Sequence, residues 1–233
     1  LTSLSKDVLE CNGTIDKYMG DCIMAFWNAP LADGKHACNA VEAARRMILT
    51  MERVNQELKD SGKSQFDLKI GVGLGTGYCV VGNMGSDQRF DYSVLGDSVN
   101  LAARLEGQSK GYGVKTVIGP ETNEIVKDLY ATLQLDMIAV KGKKEAVTIF
   151  TLAGDSEFKK NSEFKTLEEK HKNILKNYFE QQWDKCLKEM SLAKSLCNNL
   201  MNEYYEIMTQ RIDEYKVSPP PKDWDGVYVA TSK

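Results

Sequence analysis

Three short stretches of the sequence combine residue types that could act on a phosphorylated ligand. The first runs from Asp16 to Asp21 and reads Asp-Lys-Tyr-Met-Gly-Asp. Gly20 permits a tight turn, which would leave Asp21 at the exposed tip and Lys17 four residues earlier. A carboxylate on a rigid tip suits Mg²⁺, which takes one or two carboxylates together with substrate phosphates. Without further context, a Gly-Asp pair is equally typical of a plain turn.

The second stretch covers residues 92–106 and places Asn100 and Arg104 four residues apart. On a helix that spacing puts both side chains on one face. The Asn100 amide and the planar Arg104 guanidinium, beside each other, could hydrogen-bond a ribose and a phosphate. The alternative is a solvated helix face on which Arg104 pairs with a nearby acid.

The third stretch is a basic turn, Val-Lys-Gly-Lys-Lys, that begins at Val140. Lys141 and its neighbours could clamp a phosphate by charge-assisted hydrogen bonds. Exposed lysines on a turn are also common as purely solubilising residues, and the sequence alone leaves both interpretations open.

Composition limits the classes of protein to consider. The chain has 233 residues, of which 42% are hydrophobic and 27% charged, which is typical of globular domains. A formal net charge of −3 provides no basic field for nucleic acid, so we expect no nucleic-acid partner. Apolar runs stay shorter than the roughly 18 residues of a membrane helix. Six cysteines without C-x-x-C spacing favour a reducing, intracellular setting.

Periodicity predicts the elements that would position the three stretches. Strands and helices mix over the first 150 residues, which indicates an α/β or α+β domain. The predicted strands lie at 14–19, 22–27, 66–72, 78–81, 90–95, 115–118, 133–140 and 147–152, with helices at 36–58, after 97 and after 120. From Leu167 to Ile212 the periodicity is purely helical, and a polar segment precedes it. We therefore predict a domain over 1–153, a linker over 154–166 and a helical extension over 167–233.

These stretches, in their order and context, resemble the catalytic domain of class III nucleotidyl cyclases, in particular bacterial and protist adenylyl cyclases. The resemblance covers about residues 5–153 and is carried by 13–21, 25–30, 70–73, 81–86 and 92–106. It implies a ferredoxin-like α+β sandwich that dimerises head to tail, with active sites at the interface. By this resemblance the family's first strand, with its second metal aspartate, would lie before Leu1, so the domain is expected to be N-terminally incomplete.

The resemblance also implies a role for each candidate residue. Asp21 matches one of two aspartates that hold two Mg²⁺ or Mn²⁺ ions. Lys17 and Ser93 match the pair that recognises the purine ring. This combination of a lysine and a hydroxyl is similar to that of enzymes using ATP, whereas guanylyl cyclases usually have glutamate and cysteine there. Asn100 matches the residue that orients the ribose, Arg104 the one that steadies the reacting phosphorus, and Lys141 the triphosphate clamp.

Two functions follow as hypotheses. The first is an adenylyl cyclase that converts ATP to cyclic AMP and pyrophosphate together with a second cyclase domain, in the cytoplasm or as the cytoplasmic part of a larger membrane protein or assembly. The second is a catalytically incomplete cyclase-fold subunit that acts as a scaffold or regulator. The helical extension is similar to one tetratricopeptide-like helix pair, so it could either dock a protein partner or simply pack on its own domain.

Overall fold

The fold was analysed in a computed structural model, which describes residues 1–139 and 146–229. It is built from strands and helices that alternate over the first two thirds of the chain and from helices thereafter. The strands are β1 (Thr14–Met19), β2 (Cys22–Phe26), β3 (Val72–Leu74), β4 (Val80–Ser86), β5 (Arg89–Leu95), β6 (Thr116–Ile118), β7 (Ala131–Ala139), β8 (Ala146–Gly154) and β9 (Val227–Val229). The helices are α1 (Thr2–Glu10), α2 (His36–Asp60), α3 (Asp97–Gly111), α4 (Pro120–Val126), α5 (Ser156–Lys160), α6 (Ser162–Phe179), α7 (Trp183–Ala193) and α8 (Asn202–Val217).

Five of the described strands form the main sheet, in the order β3-β6-β8-β7-β9. The outer pairs β3–β6 and β7–β9 are parallel, and the inner pairs β6–β8 and β7–β8 are antiparallel. The hairpins β1–β2 and β4–β5 form two further two-stranded sheets. Strands and helices in one sheet-based core confirm the expected α/β class.

Side-chain alternation on β6 divides the core into two layers. Val117 belongs to one apolar cluster and the next residue, Ile118, belongs to the other. Because neighbouring strand residues point to opposite faces, the two clusters cover opposite faces of the sheet. One cluster contains α2 and α4, and the other contains α3 and the helices that follow β8.

Helices α6 and α8 pack on the main sheet through buried polar contacts as well as apolar ones. Asp136 on β7 is fully buried and pairs with Arg211 on α8. Its carboxylate also accepts hydrogen bonds from the Tyr112 hydroxyl at 2.7 Å and from the Met137 backbone N–H at 2.8 Å. The Arg211 guanidinium lies 3.6 Å from the ring centroid of Tyr228 on β9. Both buried charges are therefore compensated, as their burial requires.

A second buried contact joins α6 to the same strand. His171 Nε2 lies 2.6 Å from the Gln134 carbonyl oxygen, and Nδ1 lies 2.9 Å from the Tyr205 hydroxyl. Because a carbonyl only accepts, Nε2 carries the proton and Nδ1 accepts from Tyr205. Burial lowers the pKa of His171 to about 4, so the ring is neutral near pH 7.

The polar segment 154–166, predicted as a linker, differs in the structure. It contains α5 and the first turn of α6, each begun by a side-chain cap from Asp155 and Asn161. Phe164 from this segment is fully buried in the core beneath the sheet. The division of the chain into separate domains therefore stays a prediction, and so does the tetratricopeptide-like character of the extension.

The strand predicted over 66–72 was wrong except at its last residue. Val72 begins β3, whereas Phe66 and Leu68 lie outside any strand and are exposed. The side chain of Asn55 on α2 accepts from the Leu68 N–H and donates to the Leu68 carbonyl, both at 2.9 Å. The Asn55 side chain thus bonds the Leu68 N–H and carbonyl groups, which the alternating sequence predicts to be bonded within a sheet. No helix of the described residues is both long and apolar enough to span a membrane.

We predict that Arg211→Met lowers the free energy of unfolding by about 3–5 kcal/mol, because it leaves the Asp136 carboxylate buried without its counter-charge. The measurement is chemical denaturation. The control is Lys216→Met, which removes an exposed ion pair with Asp184 and should cost less than about 1 kcal/mol. The double variant Asp136→Asn/Arg211→Met should be more stable than Arg211→Met alone, and the reverse order would contradict the account.

Candidate active site

Helix α3 lies directly against β3 because that strand presents glycine to it. A methyl group built on Gly73 would overlap the Ala102 carbonyl oxygen and the Glu106 backbone nitrogen. One built on Gly75 would lie 2.7 Å from the Ser98 carbonyl oxygen. The alternating glycines that interrupt the apolar sequence are therefore the surface on which the helix backbone rests.

Asn100 and Arg104 lie on α3 in the first three turns, and both are exposed. Their four-residue spacing puts them on one face of the helix, as predicted. The buried face is formed by Leu101 and Leu105, which join the core cluster below the sheet. The packing of α3 thus fixes the direction in which its two polar residues project.

The structure brings Lys17 and Ser93 together from positions 76 residues apart. Lys17 Nζ donates to Ser93 Oγ at 3.3 Å. Ser93 Oγ in turn donates to Asp16 Oδ2 at 2.7 Å, and the Val94 N–H donates to the same oxygen at 3.2 Å. Lys17 Nζ lies 3.2 Å from the other carboxylate oxygen, Oδ1. These contacts join the β1–β2 hairpin to β5.

Asp16 takes part in this cluster because of an irregularity in β1. Ile15 pairs with Ala25 and Lys17 pairs with Met24, so Asp16 is an extra residue in the ladder. Such a bulge redirects side chains from their normal alternation. The Asp16 carboxylate is consequently buried against β5, with a side-chain exposure of 0%, while Lys17 keeps 43% of its side chain exposed. Sequence alternation would have placed these two neighbours on opposite faces, so Asp16 was missed.

Asp21 occupies the exposed tip of the β1–β2 hairpin, as predicted. The turn has two residues, Gly20 and Asp21, and Gly20 has a φ of 65°. Local desolvation raises the pKa of the adjacent Cys22 thiol, and the carboxylates of Glu106 and Asp21 raise it further.

The exposed Asp21 carboxylate could supply one ligand to a metal ion that is shared with a nucleotide. Over residues 1–139 and 146–229, no three His, Cys, Asp or Glu side chains group into a metal site. Mg²⁺ is commonly held by one or two carboxylates plus phosphate oxygens, and an exposed carboxylate at a rigid turn provides the protein's share. Lys141, the candidate triphosphate clamp, lies outside the described residues.

Comparison with known proteins assigns the family. The sequence model of the adenylate and guanylate cyclase catalytic domain matches residues 13–154. The chain therefore belongs to this family, as the motifs suggested.

Adenylate cyclases from several organisms are similar to the chain. Adenylate cyclase 1 of Rhizobium meliloti (strain 1021) is 35% identical over 150 residues, which is 64% of this chain and 22% of the relative. The adenylate cyclase of Anabaena cylindrica is 35% identical over 158 residues, which is 64% of this chain and 30% of the relative. The chain thus spans less than a third of the length of these relatives.

Two crystal structures share the fold. The adenylyl cyclase CyaB from P. aeruginosa aligns with a TM-score of 0.59 and 37% identity, over 65% of this chain and 76% of that chain. The guanylyl cyclase Cya2 aligns with a TM-score of 0.60 and 33% identity, over 67% and 77% respectively. Because both kinds of cyclase match equally well, the purine used by this chain must be argued from its own residues.

We predict that Gly73→Ala displaces α3 and with it Asn100 and Arg104, because the new methyl group meets helix backbone that cannot rotate away. Overpacking of this kind costs about 1–3 kcal/mol, and misplacing reacting groups by an ångström can lower turnover about a hundredfold. The measurements are thermal unfolding and nucleotide cyclisation by the complete protein.

The matched control is Gly107→Ala, on the helix itself, where a methyl group meets nothing within 4 Å. It should retain activity and stabilise the helix by about 0.5–1 kcal/mol. Equal activity of the two variants would contradict a packing role for Gly73.

Proposed function

We propose that the chain is the catalytic domain of an adenylyl cyclase, which converts ATP to 3′,5′-cyclic AMP and pyrophosphate. The observation that carries the choice of ATP is the contact between Lys17 and Ser93. The family membership and the similarity to adenylate cyclases from two organisms support the reaction class.

The Lys17–Ser93 pair suits adenine by its hydrogen-bonding character. An ammonium group only donates, so Lys17 is matched to an acceptor such as the adenine ring nitrogen N1. A hydroxyl oxygen can accept from the adenine 6-amino group, whereas guanine has an acceptor at that position. Lys17 is the more exposed of the two side chains, with 43% of its side chain in solvent against 6% of Ser93.

The remaining candidates would handle the ribose and the phosphates. Asn100 on the exposed face of α3 would hydrogen-bond the ribose and hold its 3′ oxygen toward the α-phosphorus. Arg104, on the same face, would spread positive charge over the phosphoryl oxygens as the 3′ oxygen attacks and the pyrophosphate departs. Lys141 would add charge at the leaving pyrophosphate. These roles are proposals that rest on the resemblance and on the shared helix face.

Asp21 would hold Mg²⁺ or Mn²⁺ together with the nucleotide phosphates. When bound, two such ions lower the cost of charge on the attacking and leaving oxygens. The protein's contribution here is the Asp21 carboxylate, which the two-residue turn holds at the exposed tip of the hairpin.

A second cyclase domain is the partner that the exposed surface favours. The β4–β5 hairpin has large apolar side chains in solvent, among them Val80 (69% exposed), Phe90 (65%) and Leu95 (61%). Contiguous exposed apolar side chains mark interaction surfaces. The same strand β5 holds Ser93, so a copy bound on this hairpin would lie beside the purine pair.

We predict that the complete protein, given ATP with Mg²⁺ or Mn²⁺, forms cyclic AMP and pyrophosphate in equal amounts. Arg104→Ala should lower kcat by about a hundredfold or more while the KM for ATP changes little, because its charge acts mainly in the transition state. Product chromatography with a pyrophosphate assay measures both effects.

The control for this experiment is Arg53→Ala, on the exposed face of α2, which should retain wild-type rates. If the folded wild-type protein forms no cyclic nucleotide, the proposal fails and the scaffold or regulatory alternative is favoured.

A further inference from the structure

Asp16 is the one carboxylate of the candidate purine site that is fully enclosed, and the proposed reaction gives it no role. It lies at the bulge of β1 and contacts both members of the Lys17–Ser93 pair. Its Oδ2 accepts from the Ser93 hydroxyl and from the Val94 N–H. Among the described residues Oδ1 forms an ion pair with Lys17 Nζ at 3.2 Å and no hydrogen bond of good geometry.

The contacts of Ser93 fix the direction of its hydroxyl group. A serine hydroxyl has one hydrogen to donate and two lone pairs that accept. The hydrogen goes to Asp16 at 2.7 Å, and one lone pair accepts from Lys17 at 3.3 Å. Only 6% of Ser93 is exposed, so its side-chain partners Asp16 and Lys17, rather than water, decide this orientation. What remains for a ligand is one lone pair, which accepts and cannot donate.

We infer that Asp16 is a specificity-determining positioning residue, which holds the Ser93 hydroxyl as an acceptor and thereby favours adenine over guanine. The inference rests on the proposed function, because it takes Lys17 and Ser93 as the groups that meet the purine. The adenine 6-amino group donates to the free lone pair of Ser93. The guanine 6-oxygen accepts, so it faces an oxygen that has no hydrogen to offer. Without Asp16 the hydroxyl rotates and can donate to guanine.

A hydrogen bond from the Val94 N–H fixes the orientation of the Asp16 carboxylate. Val94 donates from the β5 backbone to the same Oδ2 that accepts from Ser93. A replacement that keeps this hydrogen bond must therefore place an acceptor at the same position. In Asp16→Asn the amide oxygen can occupy it, because the amide nitrogen would otherwise face the Val94 N–H with no acceptor between them. This variant removes the charge but keeps the orientation of Ser93.

The test measures purine selectivity at equilibrium. The probes are 3′-deoxy-ATP and 3′-deoxy-GTP with Mg²⁺, which lack the oxygen needed for cyclisation, and calorimetry gives a Kd for each. We expect wild-type protein to bind the adenine probe more tightly. Selectivity is the Kd of the guanine probe divided by the Kd of the adenine probe. Asp16→Ala should reduce this ratio by about tenfold, and Ser93→Ala should reduce it by a similar factor.

A double-mutant cycle separates this role from a structural one. In the Ser93→Ala background, Asp16→Ala should change the selectivity by less than about twofold, because no hydroxyl remains to be oriented. Asp16→Asn should retain the wild-type selectivity and serves as the matched variant if Asp16→Ala does not fold. The inference is overturned if folded Asp16→Ala keeps the wild-type ratio, if its effect is the same with and without Ser93, or if Asp16→Asn loses as much selectivity as Ser93→Ala.

The outcomes distinguish this inference from the proposed reaction. Selective binding by a wild-type protein that forms no cyclic AMP would refute the reaction and leave the role of Asp16 intact. Cyclic AMP formation by the wild type, with unaltered selectivity in Asp16→Ala, would refute only the role of Asp16. A wild type that binds both probes equally would overturn the role of Asp16 directly.

Discussion

The backbone contact between α3 and β3 is the constraint on which the site depends. A helix can approach a strand this closely only where the strand has no side chains, and Gly73 and Gly75 meet that condition. The contact sets the height and rotation of α3, so it decides where Asn100 and Arg104 project. The proposed phosphoryl transfer relies on positioning and charge, so it would need this kind of rigidity more than it would need reactive side chains.

The other end of α3 is held by residues far along the chain. Tyr112 follows the last turn of the helix and donates to Asp136, which pairs with Arg211 on α8. Tyr228 on β9 covers the Arg211 guanidinium, so the C-terminal segment completes the same cluster. The helices after β8 therefore pack on the same sheet against which α3 rests. Of the two sequence hypotheses for the extension, packing on its own domain has direct structural support, and docking of a protein partner stays a prediction.

Local chemistry explains which features the sequence could predict. The β1–β2 turn and the spacing of Asn100 and Arg104 follow from rules that span a few residues, and the structure has both. The resemblance added the pairing of Lys17 with Ser93, which no local rule could supply across 76 residues, and the two side chains are in contact. Their roles, like those of Asp21 and Lys141, remain predictions.

Features that depend on tertiary contact escaped the sequence. Asp16 points inward only because β1 contains a bulge, and alternation alone would have sent it the other way. The segment at 66–71 has a strand-like sequence, yet the backbone groups of Leu68 bond to the Asn55 side chain in place of a neighbouring strand. Gly73 and Gly75 interrupt an apolar pattern in the sequence, and only the packed helix shows why glycine is needed there.

Selection of ATP by Lys17 and Ser93 is the central proposal, and exchanging the two residues tests it. The measurement is kcat/KM for ATP and for GTP in the complete wild-type protein and in the double variant Lys17→Glu/Ser93→Cys. The account predicts that the wild type prefers ATP and that the double variant shifts the preference toward GTP, because a carboxylate accepts where the ammonium donated. An unchanged ratio in a folded and active double variant would contradict it.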